Sequence, residues 1–313
     1  MLLPFQITES ACVACLAGAG DTRTGLKVLG GVAVLNVPLA WGLCFGVGPV
    51  PGLGFAGIAL GTGLSHLVGC VIVLSLLARG RSGLKVTLPT LKPDRGLIYR
   101  ILRVSVPAGV DSLSVAACQL WFLRIVNGLG DVAAAAHGIT LQWEALGFLA
   151  GAAFGTAAMT LVGQNLGAND PDRAARSGWT AFAVACGVMT AMGVLFAVLA
   201  RPMFRLFCHE PHLEPVVDAG VPTLRLIALA MPALASQIVF TSALRGAGDA
   251  RVPVLFSWIG FLGVRIPLAY LLTGPDVGLG LYGAWVAMVV DIWVRGAFFA
   301  ARFAGGRWKR AVV

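Results

Sequence analysis

Eight long apolar stretches limit what this chain can fold into more than any other feature of its sequence. They lie at roughly 25–47, 54–78, 97–127, 132–162, 176–200, 216–244, 252–272 and 281–303. Each supplies the ~20 residues with which a helix crosses about 30 Å of hydrocarbon. Only helices and closed barrels satisfy the whole backbone in lipid, and runs this long predict helices. A shorter stretch, Leu2–Ala17, predicts part of a ninth helix.

The composition also indicates an all-α polytopic membrane protein. Charged residues make up only 12% of the 313 residues, about half the share of roughly one quarter found in soluble proteins. Apolar residues make up 58%, and the mean hydropathy is +0.86. We therefore expect a multi-pass protein of the cell inner or plasma membrane, monomeric and in contact with membrane lipids.

The basic residues divide unequally between alternate loops. Of the 23 Lys and Arg residues, 17 fall on the side that includes the 79–96 segment and the carboxyl terminus. The opposite loops hold only Arg201 and Arg205. Because cytoplasmic loops are enriched in Lys and Arg, this asymmetry predicts that the basic side is cytoplasmic. Topology and anionic lipid thus account for the net charge of +9, and we expect no nucleic-acid partner.

One short phrase occurs twice in the chain, 228 residues apart. GAGD stands at 18–21 and again at 246–249, and NVPLAW at 36–41 corresponds to RIPLAY at 265–270. Six spans separate the two copies, so both turns face the same side and the repeat is parallel. Two parallel six-helix lobes around a cavity with alternating access are typical of transporters.

Glycine and aspartate in the repeated phrase suit a helix-to-helix turn. Glycine readily adopts the left-handed conformation that ends a helix, and aspartate caps the helix that follows. We assign structural turns to Gly20, Asp21, Gly163, Gln164, Gly248 and Asp249.

These motifs together resemble those of the multidrug and toxic compound extrusion (MATE) transporters. Besides the GAGD turns, the resemblance is carried by LVGQNLGANDPDRAARSGW at 161–179, RIPLAYLL at 265–272, VPAGVDSL at 106–113 and HGITLQWEALGF at 137–148. It covers essentially the whole chain. It implies a twelve-helix, two-lobed exporter that exchanges organic cations for protons or sodium ions, with no other cofactor and no bound metal.

The chain corresponds to part of such a transporter. Residues 1–78 would form the carboxyl-terminal part of lobe one, 79–96 a basic cytoplasmic interlobe loop, and 97–313 a complete six-helix lobe two. The GAGD turn begins 149 residues after Leu97 but only 17 after Met1. We therefore expect about 130 residues to be absent from lobe one, and the chain not to transport alone. In-frame upstream DNA encoding three more spans would support this expectation, whereas robust efflux by the 313 residues would contradict it.

Four side chains are candidates for ion coupling or for the substrate cavity: Asp111, Glu144, Asp291 and His137. A charged group within the hydrocarbon is costly, so such residues usually face a cavity or mark an ion path. Asp111 lies one turn after Pro107, where the resemblance implies a coupling carboxylate, and it is the first choice. A buried structural acid is the alternative for this residue.

For the other candidates, the spacing along a helix predicts which partners they have. Glu144 and His137 are seven residues apart on one helical face, which predicts a polar stripe toward the cavity or a hydrogen bond between helices. Asp291 and Arg295 are four apart, a spacing typical of an ion pair that lets the helix insert. We expect Arg265 to anchor its helix at the membrane surface or to pair with an acid on another helix.

Other classes of protein fit the sequence less well. GLGFAG at 52–57 matches a dinucleotide motif but lacks a βαβ unit. The GxGD phrases of the chain suggest an intramembrane aspartyl protease. Their aspartates fall at turns, however, so we expect no enzyme. A flippase for lipid-linked precursors or polysaccharides would need an arginine-rich cavity, whereas the definite mid-span charges here are mostly acidic. A membrane scaffold that does not transport is the remaining alternative.

The predicted topology can be tested with single cysteine tags in a protein whose seven native cysteines have been replaced. Tags in the 82–96 segment and after Arg310 should resist membrane-impermeant thiol reagents in intact cells, because both lie on the basic side. Tags at Gly48 or Pro275 should react. The reverse labelling pattern would overturn the orientation.

Overall fold

The computed structural model describes residues 2–47, 50–85 and 93–310. Gly48 and residues 86–92 of the predicted interlobe loop lie outside the described residues. The helices are α1 (Leu3–Gly18), α2 (Thr22–Phe45), α3 (Phe55–Ala78), α4 (Arg95–Asn127), α5 (Asp131–Gly167), α6 (Pro171–Val198), α7 (Ala200–Arg205), α8 (Glu214–Gly246), α9 (Arg251–Trp258), α10 (Ile266–Thr273) and α11 (Gly280–Ala304). The strands β1 (Gly46–Val47) and β2 (Val50–Pro51) pair antiparallel.

Eight helical segments of the described residues are long and apolar enough to cross a membrane. One of them, Arg251–Thr273, consists of α9, a π-helical segment at Ile259–Arg265, and α10. The prediction of an all-α protein with eight complete spans is therefore confirmed. The shorter α1 corresponds to the expected partial helix.

The chain forms two compact units, Met1–Arg95 and Gly96–Val313. The first contains α1 to α3, and the second contains α4 to α11. In the first unit, Gly61 of α3 allows close packing on α2, because a methyl group there would come 2.6 Å from the Ala40 nitrogen. The assignment of the units to two transporter lobes stays a prediction.

Helix α8 is the centre of the second unit and is largely buried. Glycines bring its neighbours close: a methyl group on Gly193 of α6 would lie 2.7 Å from the Ala228 carbonyl oxygen. On α11, a methyl group on Gly296 would lie 2.7 Å from the carbonyl oxygen of Ala233. Small residues at such crossings are typical of membrane helices, since van der Waals contact is a main attraction there.

The two GAGD turns share a backbone conformation but differ in what their aspartates do. Gly20 and Gly248 have φ angles of 88° and 83°, as predicted for left-handed helix ends. Asp21 caps α2 as predicted, accepting a hydrogen bond from the Thr24 nitrogen at 3.0 Å. Asp249 does not cap the next helix; its carboxylate instead accepts bonds from Nε and Nη2 of Arg302 at 3.1 and 2.7 Å. Two charge-assisted bonds from a guanidinium outweigh one bond to a backbone amide.

Gly163 and Gln164 lie within α5, not in a turn as the sequence suggested, because α5 continues to Gly167. The chain turns after them, at Asn169 with φ 58°. Asp170 then caps α6, accepting a hydrogen bond from the Arg173 nitrogen at 2.9 Å. The small size of Gly163 serves packing on α8: a methyl group there would come 3.1 Å from the Gly246 carbonyl oxygen.

The π-helical segment at Ile259–Arg265 packs directly against α11. A methyl group on Gly260 would come 2.5 Å from Cγ of Arg295 and closer still to Oδ1 of Asp291. The same segment ends at Arg265, whose side chain is buried. π-Helical turns often occur at functional sites. The charged groups packed against this segment are therefore candidates for a functional site.

Two glycines of this segment form a matched pair for a stability test. Gly260→Ala should destabilise the protein by ~1–3 kcal/mol, because the added methyl group displaces buried charged side chains. Gly263→Ala should be neutral or slightly stabilising, since nothing lies within 4 Å of the position of its methyl group. Thermal unfolding of the purified protein in detergent measures both changes. Equal melting temperatures for the two variants would show that the close packing at Gly260 has no energetic importance.

Candidate substrate cavity

A cavity of about 470 Å³ lies within the second unit. Its walls come from α4, α5, α8, α9, the π-helical segment and α11. Apolar side chains form much of the lining, among them Val115, Phe148, Leu234, Ile238, Met288 and Phe299. The volume falls in the range of about 300–1,000 Å³ that is usual for sites that bind drug-sized molecules.

Five charged residues line the cavity: Asp111, Glu144, Arg245, Arg265 and Arg295. The sequence had indicated that the charges near mid-membrane would be mostly acidic. Three of the five are arginines, because α8, the π-helical segment and α11 each direct one guanidinium to the same space. The lining is therefore of mixed charge.

Asp111 of α4 forms an ion pair with Arg245 near the end of α8. Nη2 of the arginine donates to Oδ2 of the carboxylate at 2.5 Å, and Asp111 is only 4% exposed. The second carboxylate oxygen, Oδ1, and the arginine Nε are buried without a hydrogen-bond partner in the described part of the chain. The pair is thus held by one hydrogen bond and retains unused donors and acceptors.

Asp291 is fully buried between two arginines. Its carboxylate accepts hydrogen bonds from Nε and Nη2 of Arg295 at 2.7 and 2.6 Å. This is the ion pair expected from the four-residue spacing. The carboxylate also accepts a hydrogen bond from Nε of Arg265, in the π-helical segment, at 2.8 Å. The expectation that Arg265 pairs with an acid on another helix is therefore met, and its anchoring at the surface is not. Asp291 itself is absent from the described residues that line the cavity.

The ring of Phe261 supports the two arginines. The Cζ atoms of Arg265 and Arg295 lie 4.4 and 4.3 Å from the centre of this ring. Nη1 of Arg265 also donates to Oε1 of Gln119 on α4 at 3.2 Å. Cation–π contacts and the shared carboxylate together fix both guanidiniums beside the cavity.

Glu144 of α5 lines the cavity without a close partner. Its side chain is half-buried, and no described residue forms a hydrogen bond or ion pair with it, although the charges of Arg265 and Arg295 act on it electrostatically. Of the two carboxylates on the cavity wall, Glu144 is consequently the one not already bound to a guanidinium.

His137 does not reach the cavity, so the predicted polar stripe is divided. Its ring is buried and packs 5.8 Å from the ring of Phe122 and 5.4 Å from that of Trp285, measured between centroids. Its Nδ1 has no partner among the described residues. Of these two residues, Glu144 lines the cavity and His137 is not among the described residues of its lining. The functional role of both residues stays a prediction.

Several polar residues of the structure were not singled out from the sequence. Gln237 and Thr241 line the cavity, each with a buried oxygen that has no partner in the described part of the chain. Their spacing from Arg245, at four-residue intervals along α8, was the available signal. In the first unit, Glu9 lies buried with Oε2 2.7 Å from Nδ1 of His66. A lone acid in a short apolar stretch could have indicated it.

The described residues contain no group of three or more His, Cys, Asp or Glu side chains that could hold a metal ion.

Comparisons with known proteins agree on one family. The sequence profile of the MatE family matches residues 107–271. The "Probable multidrug resistance protein NorM" of Thermotoga maritima is 29% identical over 304 residues, which cover 96% of this chain and 64% of that protein. The "Uncharacterized transporter YisQ" of Bacillus subtilis is 26% identical over 296 residues, again 64% of its length. This chain thus spans about two thirds of the length of these relatives.

A solved structure shows the same fold. The crystal structure titled "Crystal structure of MATE in complex with MaL6" superimposes with a TM-score of 0.87 at 18% identity, over 96% of this chain and 67% of that one. At this identity the likeness concerns the fold alone. Since the MatE profile matches more than half of the sequence, this multi-pass membrane chain belongs to the MatE family of transporters.

Proposed function

We propose that the protein is a secondary active multidrug exporter that exchanges organic cations for protons or sodium ions. The single observation that carries the proposal is the cavity of the second unit. There a carboxylate without a partner among the described residues, that of Glu144, lies among apolar walls. An apolar wall with a few polar groups suits varied drug-sized molecules. A carboxylate within the membrane can exchange a proton or bind a cation at modest energetic cost only inside such a cavity.

Two carboxylates share the coupling role in this proposal. Asp111 alternates between its ion pair with Arg245 and a protonated or sodium-bound state, and its unused Oδ1 gives the incoming ion a place to bind. Within the described part of the chain Glu144 has no competing partner, and it receives either the coupling ion or the cationic group of the substrate. A ligand shifts a conformational equilibrium only if it binds the two conformations with different affinities. In this proposal the two acids bind the ion or the substrate with different affinities in the two conformations.

A second candidate is a flippase for lipid-linked precursors of the same broad superfamily. The observation that favours it is the number of arginines on the wall: Arg245, Arg265 and Arg295 all line the cavity. Guanidiniums bind phosphate in a bidentate manner, as a pyrophosphate-linked substrate would require. Efflux of cationic dyes without any lipid-linked substrate would favour the exporter.

Neutralising the cavity carboxylates should uncouple transport. Asp111→Asn and Glu144→Gln in the full-length protein should each lower ion-driven efflux by about tenfold or more, because the site that links ion and substrate is lost. The measurement is dye efflux from proteoliposomes with an imposed proton or sodium gradient. Asp218→Asn, at a 61% exposed carboxylate of α8 outside the cavity, is the matched control and should keep normal efflux.

A double variant separates coupling from structure at Asp111. Asp111→Asn leaves Arg245 without its counter-charge, whereas Asp111→Asn with Arg245→Gln removes both charges of the pair. If the carboxylate couples transport, the double variant should fold normally and remain inactive. Recovery of ion-driven efflux in the double variant would assign Asp111 to structure alone.

A further inference from the structure

A carboxylate and an imidazole lie side by side inside the first unit. Oε2 of Glu9 on α1 is 2.7 Å from Nδ1 of His66 on α3, a length typical of a charge-assisted hydrogen bond. Helix α1 ends at Gly18, so Glu9 lies about 14 Å from that end, near the middle of a hydrocarbon layer of about 30 Å. Ionisable groups at such a depth are costly and usually functional.

The carboxylate of Glu9 is enclosed and only partly used. Its side chain is 1% exposed, and its second oxygen, Oε1, is buried without a partner among the described residues. Gly69 of α3 makes room for this oxygen, because a methyl group there would come 2.6 Å from it. The side chain of His66 is 22% exposed, so protons can reach the pair through the imidazole.

Helix packing alone does not require this pair, as the internal repeat shows. GAGD recurs after 228 residues, so Glu9 corresponds to Gln237. GLG at 52–54 recurs after 226 residues, so His66 corresponds to Ile292. Gln237 and Ile292, which are both uncharged, line the cavity of the second unit. The second unit thus packs the corresponding helices without an acid–base pair, and the pair in the first unit has another role.

The surroundings of the pair favour a proton over a metal ion as its ligand. Within the described residues, no third His, Cys, Asp or Glu side chain completes a group that could hold a metal. The titratable neighbours are the thiols of Cys12 on α1 and Cys70 on α3, and α2 contributes the apolar side chain of Val32. Thiols are neutral at pH 7, so none of these neighbours balances a charge on the pair.

We infer that Glu9 and His66 bind one proton between them and form a pH-sensitive clamp between α1 and α3. With one proton the pair has no net charge and holds the two helices together. A second proton gives the pair a net positive charge, and loss of the proton a net negative charge, and either charge is costly at this depth. The inference does not depend on the proposed exporter, since it concerns the packing of the first unit.

The pH dependence follows from the number of protons in the folded and in the unfolded chain. The unfolded chain carries one proton on the two groups between about pH 4.3 and about pH 6.5, the ordinary pKa values of Glu and His. The clamp is therefore strongest in this interval. Above it the unfolded chain releases the proton that the clamp retains, and below it the unfolded chain binds a second proton. Stability consequently falls on both sides.

Thermal unfolding of the purified full-length protein tests the clamp. The baseline is the double variant Glu9→Gln with His66→Gln, which keeps Cys12 and Cys70 but has no titratable group in the pair. Relative to this baseline, the wild-type melting temperature should be constant from about pH 4.5 to about pH 6 and fall by about 3 °C or more by about pH 9. A difference that does not change with pH would overturn the inference.

The single variants should lose stability in opposite directions of pH. Glu9→Gln leaves an imidazole that is uncharged at alkaline pH, so its melting temperature should fall, relative to the same baseline, as the pH decreases below about 6.5. His66→Gln leaves a carboxylic acid, so its melting temperature should fall as the pH rises above about 4.3. Parallel profiles of the two variants would assign the pair to packing alone and contradict the clamp.

The wild-type chain offers a second measurement that needs no substitution in the pair. Cys70, next to Gly69, is 4% exposed, and Cys118 of the second unit is 7% exposed. The rate of N-ethylmaleimide labelling at Cys70, divided by the rate at Cys118 to correct for thiol ionisation, should rise severalfold from about pH 6 to about pH 9, because the weakened clamp opens the contact between α1 and α3. Mass spectrometry distinguishes the two sites. A constant ratio would contradict the clamp.

The same samples distinguish a proton from a metal cation. Sodium chloride and choline chloride should give equal melting temperatures of the wild-type protein at constant pH, because the ligand of the pair is a proton. Stabilisation by sodium in the wild-type protein, and not in the double variant, would identify a site for a metal cation and overturn the inference.

Discussion

The structure of the second unit depends on one buried carboxylate, Asp291, which binds guanidiniums from two different helical segments. Within a membrane an isolated arginine is costly, and two of them beside one cavity would repel each other. Removing one member of a buried pair typically costs ~3–5 kcal/mol, because the other charge stays buried without a partner. The close approach at Gly260, the π-helical turn and the ring of Phe261 all serve to keep this arrangement together.

The same arrangement explains why the cavity has a mixed character. Apolar side chains dominate its walls. On the walls, Asp111 is paired with Arg245, and behind them Asp291 is paired with two arginines. Glu144 has no hydrogen-bond or ion-pair partner among the residues that the structure describes. A fully paired wall would be a stable membrane core, and a wall with many unpaired charges would not insert. The protein lies between these two conditions.

How much of the fold and of the candidate site could be predicted from the sequence depends on how far apart the contacting residues lie along the chain. The eight spans and the Asp291–Arg295 pair were predictable, since hydrophobic length and four-residue spacing are local properties. The Asp111–Arg245 pair joins residues 134 positions apart, and no local pattern indicates such a contact. In the sequence, Arg245 is one of the 17 basic residues that predict the cytoplasmic side. His137 shares a helical face with Glu144. Periodicity shows which face of a helix a residue occupies, but it does not show how far along that face a cavity extends.

The bond between Asp249 and Arg302 has a mechanical consequence. Helix α11 is joined to the π-helical segment through Asp291, and to the turn before α9 through Arg302. The two attachments are eleven residues apart on α11, which is about 16 Å along the axis. A helix fastened at two separate heights can neither slide along its neighbour nor rotate against it without breaking a charged bond. Any rearrangement of the second unit that preserves both bonds must therefore move α9 to α11 as one rigid body.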